Sequence, residues 1–177
     1  MRARLPRAGC ALVAATALVA PLAWAHSASD AYLTLEAASP TANGETVIKG
    51  QWDIALRDLD FMLTLDDDGD GNITWHELRR HQSDIARYAY AALGAAAGGK
   101  PCTLRPTSQR VSQRADGAYA ALSFDLVCRG AQRKVALDYR LFFAVDPSHR
   151  CILIVRSGGE TATALLSPAN ATVELRL

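Results

Sequence analysis

Residues Asp66 to Glu77 read D-D-D-G-D-G-N-I-T-W-H-E, and few stretches restrict a chain's local path so tightly. Asp66, Asp68 and Asp70 put carboxylates on alternate residues, and Gly71 follows where the backbone must reverse. Asn72 can then present its main-chain carbonyl to the same centre, Thr74 can act through a bridging water, and Glu77 can close the set with both oxygens. Ca²⁺, a hard cation that takes about six to eight oxygens at variable angles, is the ion this donor pattern suits. The bland alternative is an acidic, glycine-rich surface turn that is merely solvated.

The spacing resembles the calcium loop of an EF-hand, so a helix is expected on each side. Trp75 to Leu93 places Leu78, Ile85, Tyr88, Ala89 and Ala92 near helical spacing, with Arg79, Arg80, Asp84 and Arg87 left for water, and Gly94 as a stop. Arg57 to Leu65 supplies about two turns, with Asp58 and Asp60 in an acidic first turn. A calcium loop lacking a full helix-loop-helix is the nearest rival. The chain holds one such loop, whereas EF-hands usually pair through their eighth residue, here Ile73. The segment is therefore expected to dock on other structure or to pair between molecules.

The rest of the chain alternates in the two-residue period of strands. Candidate strands are Ala31–Ala37, Glu45–Leu56, Thr103–Arg114, Ala118–Cys128, Arg133–Val145, Arg150–Ser157, Thr161–Leu166 and Ala171–Leu177. Turn signals separate them, among them Asn43-Gly44, Asp116-Gly117, Gly158-Gly159 and Ser167-Pro168. The fold class expected is α+β: an antiparallel β-sandwich-like domain over 26–177, with the helix-loop-helix over 57–97 inserted in it.

Arg2, Arg4 and Arg7, the apolar run Ala11 to Ala20 and the Ala23-Trp24-Ala25 signature read as a secretory signal peptide over 1–25. A membrane anchor would need about twenty apolar residues, and no later run reaches that length. Removing 1–25 takes three arginines and no acid from a net charge of +1, leaving −2. Acids gathered at one loop are the wrong sign for nucleic acid. The expected location is periplasmic or extracellular.

Cys102, Cys128 and Cys151 remain in the exported part. A hairpin through Asp116-Gly117 would set Cys102 opposite Cys128, so that pair is expected as a disulfide and Cys151 as a buried, inert thiol. Zinc-type C-x-x-C spacing is absent, as are G-x-S-x-G, H-E-x-x-H and a glycine-rich phosphate loop, so no enzyme activity is expected. His76 and His81 lie five apart on the exit helix and read as solvated, His149 reads as a turn residue, and Trp52 and Leu141-Phe142-Phe143 as core. A different reading comes from His26: as a mature N-terminus its α-amine and imidazole would together suit copper or nickel.

The stretch Gly50-Gln51-Trp52-Asp53-Ile54-Ala55-Leu56-Arg57-Asp58-Leu59-Asp60, the later Asp146-Pro147-Ser148-His149-Arg150 and the start His26-Ser27-Ala28-Ser29-Asp30-Ala31-Tyr32-Leu33 resemble the exported N-terminal region of HupE/UreJ-type membrane proteins of bacteria. In that family a polytopic membrane part follows, and some relatives are associated with nickel or cobalt uptake. The resemblance implies a free-standing or truncated ectodomain and a membrane-protein partner, without transport activity, because the chain has no helix bundle to carry it. From the loop spacing, and not from this resemblance, the expected Ca²⁺ ligands are Asp66, Asp68, Asp70, Asn72, Thr74 and Glu77.

Overall fold

The computed structural model describes residues 29–37, 41 and 44–177. The signal segment and His26 lie outside these residues.

β1 (Asp30–Ala37) and β2 (Thr46–Ala55) open the chain, and α1 (Leu56–Leu63) follows β2 without an intervening loop. After the acidic loop come α2 (Trp75–Arg80) and α3 (Gln82–Ala91), then β3 (Leu93–Ala97), β4 (Lys100–Pro101), β5 (Thr103–Arg114), β6 (Gly117–Cys128), β7 (Lys134–Tyr139), β8 (Arg150–Ser157), β9 (Glu160–Leu166) and β10 (Thr172–Arg176). The strands form a six-stranded sheet in the order β5-β6-β2-β1-β8-β9 and a four-stranded sheet in the order β10-β7-β3-β4. The protein is thus a β-rich α+β fold with few helices.

Alternation along the strands decides which side chains meet. Ala31, Leu33 and Leu35 of β1, Ile48, Trp52 and Ile54 of β2, Leu122 and Phe124 of β6, and Cys151 and Leu153 of β8 are buried in one cluster. Val135, Leu137 and Tyr139 of β7 and Leu175 of β10 enter the same cluster from the smaller sheet. Trp52 and Tyr139 meet across the two sheets edge to face, ring centroids 5.4 Å apart. Gly50 pairs with Phe124 across β2 and β6, and a Cβ on Gly50 would fall 2.3 Å from the Phe124 ring. The missing side chain is therefore the socket for that ring. On the other face of β2, buried Asp53 is compensated by Arg114 and by the Gln51 amide, and the Arg114 guanidinium lies 3.9 Å over the Tyr32 ring.

Several sequence expectations need correction. β1 runs parallel to β8, Asp30 opposite Arg150 through Glu36 opposite Arg156, so the larger sheet is not wholly antiparallel. The exit helix breaks at His81 and ends at Ala91, short of the expected Leu93, and Leu93–Ala97, expected within the helical insertion, is a strand that pairs with β7. Gly98 and Gly99 are the turn of the β3–β4 hairpin, with φ of 55° and 74°. β7 stops at Tyr139, since 141–145 turns, with Phe142 at a φ of 60°.

Cys102 and Cys128 are joined, with S–S 2.00 Å and Cα–Cα 4.4 Å, while Cys151 is free and buried. The bond closes a loop with a sequence separation of 26. Reduction is expected to cost roughly 3 kcal/mol through the freed unfolded chain. Denaturant titrations with and without reductant measure it, and a peptide map linking Cys151 to either partner would refute the assignment.

Candidate functional site

The loop is built on α1. Leu56 and Leu59 bury one face of that helix, and Thr64 stops it in the left-handed region at a φ of 51°, its N–H reaching the Asp60 carbonyl at 2.7 Å. The Asp60 side chain then accepts the N–H groups of Leu65 and Asp66 at 2.7 and 3.0 Å. A single carboxylate thus fixes the direction in which the chain enters the loop.

Within the loop Asp66 is the organiser. Its Oδ1 accepts the N–H of Gly69 at 2.8 Å and of Asp70 at 3.2 Å, and its Oδ2 accepts that of Gly71 at 2.8 Å. Asp68 also accepts the Asp70 N–H, and Asp70 accepts that of Asn72 at 2.7 Å. Gly69 and Gly71 stand at φ 71° and 83°, where a Cβ would be strained. The outcome is that one oxygen each of Asp66, Asp68 and Asp70 lie within 4.8 Å of one another. That proximity has an electrostatic cost. The N–H donated by Asp70 favours a charged Asp68, yet the Asp70 carboxylate and partial desolvation outweigh it and raise the Asp68 pKa above its ordinary value.

The other expected ligands are placed differently. Thr74 is the N-cap of α2 and forms a capping box with Glu77. Its hydroxyl donates to Glu77 Oε2 at 2.7 Å, as does its N–H, and the Asp67 N–H donates to Oε1 at 2.9 Å. Hydrogen bonds from the Thr74 hydroxyl and N–H, with those from the Asp67 and Asp68 backbone, hold the Glu77 carboxyl down at about 2. Glu77 is buried, drawn beneath the loop rather than joined to the three aspartates. Leu65 and Leu78 are buried on either side, and Ile73 packs against the core. The loop therefore docks on its own domain. It borders a cleft of about 420 Å³ shared with Arg57, Asp116 and Tyr119.

Two acids support the loop in ways not assigned from the sequence: Asp60 is one, expected in the first turn of the entering helix, where only Asp58 lies. Asp60 precedes the motif, and Asp67 fills a loop position from which the pattern asks nothing. Asp67 turns outward to Arg80 at 2.9 Å and to His81 Nε2 at 3.0 Å. His81 is thus tied to the loop, while His76 is exposed.

No protein-family model matches the chain, and no curated protein matches it in sequence. Among the described residues, no helix is long and apolar enough to cross a membrane.

A second polar group lies behind α1. His149 follows a turn, its N–H bonded to the Asp146 carbonyl at 3.1 Å, but its ring is fully buried, which corrects its reading as a plain turn residue. Nδ1 lies 2.6 Å from Ser29 Oγ, and Nε2 lies 2.7 Å from the Tyr139 hydroxyl. Ser29 gives its one proton to Asp58 Oδ2 at 2.9 Å, which assigns the imidazole proton to Nδ1 and makes Nε2 the acceptor from Tyr139. Burial pushes the His149 pKa down to about 4 and, despite the Ser29 hydroxyl, raises that of Asp58. Burial likewise lifts the Cys151 thiol to about 12, so it stays protonated and unreactive.

A pH dependence follows. Unfolded, His149 titrates near its ordinary value of 6.5, above its folded value of about 4, so the unfolded chain takes up the proton first. The contribution is complete above pH 6.5 and is lost as pH falls toward 4, by at most roughly 3 kcal/mol. Melting temperatures across this range should fall in the wild type. In His149→Gln, less stable at neutral pH, that slope should be absent, and an unchanged slope would refute the assignment.

Proposed function

We propose that this chain is an exported, non-enzymatic calcium-binding domain, its loop a structural clip on a β scaffold read as a sandwich. The observation that carries the reading is Asp66, whose two oxygens gather the N–H groups of Gly69, Asp70 and Gly71 and so hold three carboxylates around one point. A solvated acidic turn has no reason to concentrate repelling charges in this way, whereas a divalent cation would neutralise them. Asp66, Asp68 and Asp70 are the proposed carboxylate ligands, with the Asn72 carbonyl, Thr74 through water, and Glu77. The disulfide and the signal-like 1–25 favour export. The non-enzymatic reading is favoured by the lack of a catalytic motif in the sequence and by the burial of the His149 and Tyr139 rings. The membrane-protein partner rests on the sequence resemblance alone.

Glu77 tempers the affinity. Both its oxygens already accept hydrogen bonds, so coordination must exchange those bonds for metal contacts. A dissociation constant of roughly 10⁻⁵ to 10⁻³ M is expected for an unpaired loop of this kind. Isothermal titration should register one site, weakened strongly by Asp66→Ala and Glu77→Gln and little by Thr74→Ala. Saturation at about a hundred times the dissociation constant would add roughly 2.7 kcal/mol, so chelation should lower the melting temperature and loosen 57–97 in hydrogen exchange. The absence of binding at millimolar Ca²⁺ would overturn the proposal.

A further inference from the structure

Four strands terminate the two sheets, and three of them carry an obstacle to further pairing. β5 bears Arg105, Arg110 and Arg114 and shifts register between Pro106 and Ser108. β10 has five residues and includes Glu174 and Arg176, and β4 is Lys100-Pro101 alone. Charge, proline, register breaks and shortness are the devices that keep sheet edges from joining.

β9 has only one of them, a single charge on its first residue, Glu160. From Thr161 to Leu166 it reads Thr-Ala-Thr-Ala-Leu-Leu, without charge, proline or glycine. Its register with β8 runs unbroken from Cys151 opposite Leu166 to Ser157 opposite Glu160. Among the described residues, β8 is its one strand partner.

Both faces beside this edge are accessible. On the inner side Ala162 is exposed and Ala164 half-buried, so the smaller sheet does not cover the strand and only methyl groups stand in the way. On the outer side Leu165 is 54% exposed and pairs with Ile152, while Thr163 pairs with Ile154. An apolar strip therefore borders the edge, with the strand-favouring Thr161 and Thr163 among the residues along it.

We propose that β9 is a pairing edge for a second copy of this chain, antiparallel to its own counterpart and centred on Thr163, so that the two six-stranded sheets become continuous. Self-pairing is favoured by the sequence of the strand itself. In this register all seven residues of β9 are used: Ala162 meets Ala164, Thr161 meets Leu165, and Glu160 meets Leu166. The strand's single charge thus faces an apolar residue rather than its own copy, and like charges are nowhere opposed. The arrangement has the two-fold axis that an isologous dimer requires.

Sedimentation equilibrium of the purified protein from about 10 to 200 μM tests this, chosen to span the micromolar affinities of weak self-association. The expected result is a mass rising to twice that of the chain, with amide exchange over Glu160–Leu166 slowing as concentration rises. Thr163→Lys, at an exposed site, sets two ammonium groups face to face and should weaken the dimer roughly tenfold or more, while Thr163→Val should preserve it. The proposal is overturned by a wild type that stays monomeric throughout, whether or not it captures a strand of another protein. It is equally overturned by a dimer in which exchange over Glu160–Leu166 does not depend on concentration.

Discussion

Helix α1 is held against the β layers before the acidic loop begins, and the loop inherits its position from that attachment. β2 passes directly into α1: Ala55 is still extended, at φ −59° and ψ 129°, and Leu56 is already helical. No side chain caps the junction. The helix is held instead by buried Leu56 and Leu59 and by the chain of hydrogen bonds from Asp58 through Ser29 and His149 to Tyr139. In an apolar surrounding such bonds are strong and directional, and leaving one end unpaired is costly. Sequence-distant pieces, the starts of β1 and β8 and the end of β7, thereby meet on one helix of eight residues.

From there the loop is organised by local contacts. Asp60 aims it, Asp66 curls it, and the Thr74–Glu77 capping box turns its end into α2. Asp67 is the acid directed away from the cluster, where Arg80 and His81 offset its charge. Glu77 serves two purposes, since the carboxylate that starts α2 also lies beneath the loop. The loop can hold its form through its own hydrogen bonds, and any cation has to compete with part of that framework.

Thr74 and Glu77, read as ligands, also form a capping box that was not assigned from the sequence, whereas the turn of the loop was legible because its demand is local, glycine where φ is positive. The same holds for β5 and β8, whose bounds match the expected Thr103–Arg114 and Arg150–Ser157, and for the Cys102–Cys128 bond, which follows from one hairpin turn. The features not legible depend on distant partners. Leu93–Ala97 carries no alternating apolar and polar pattern and becomes a strand through β7. His149 has the neighbours of a turn residue, Pro147 and Ser148, and is buried because Tyr139 and Ser29 converge on its two nitrogens. Nothing in a short window announces a parallel β1–β8 pair either.

That parallel pair also bears on the order in which the molecule can be completed. β1 sits inside the larger sheet, between β2 and β8, and its register partner for Asp30 is Arg150. As the polypeptide emerges from its N-terminus, β1 and β2 can form a ribbon early, and β5 and β6 can add to it. The opposite side of β1 stays bare until β8 appears. A row of unsatisfied peptide groups flanked by Leu33 and Leu35 is thus exposed through most of synthesis, and closing it requires a long-range contact of the kind that folds slowly and associates wrongly. The larger sheet is therefore completed late at its middle, by a pairing between residues 120 positions apart, and not only at its edges.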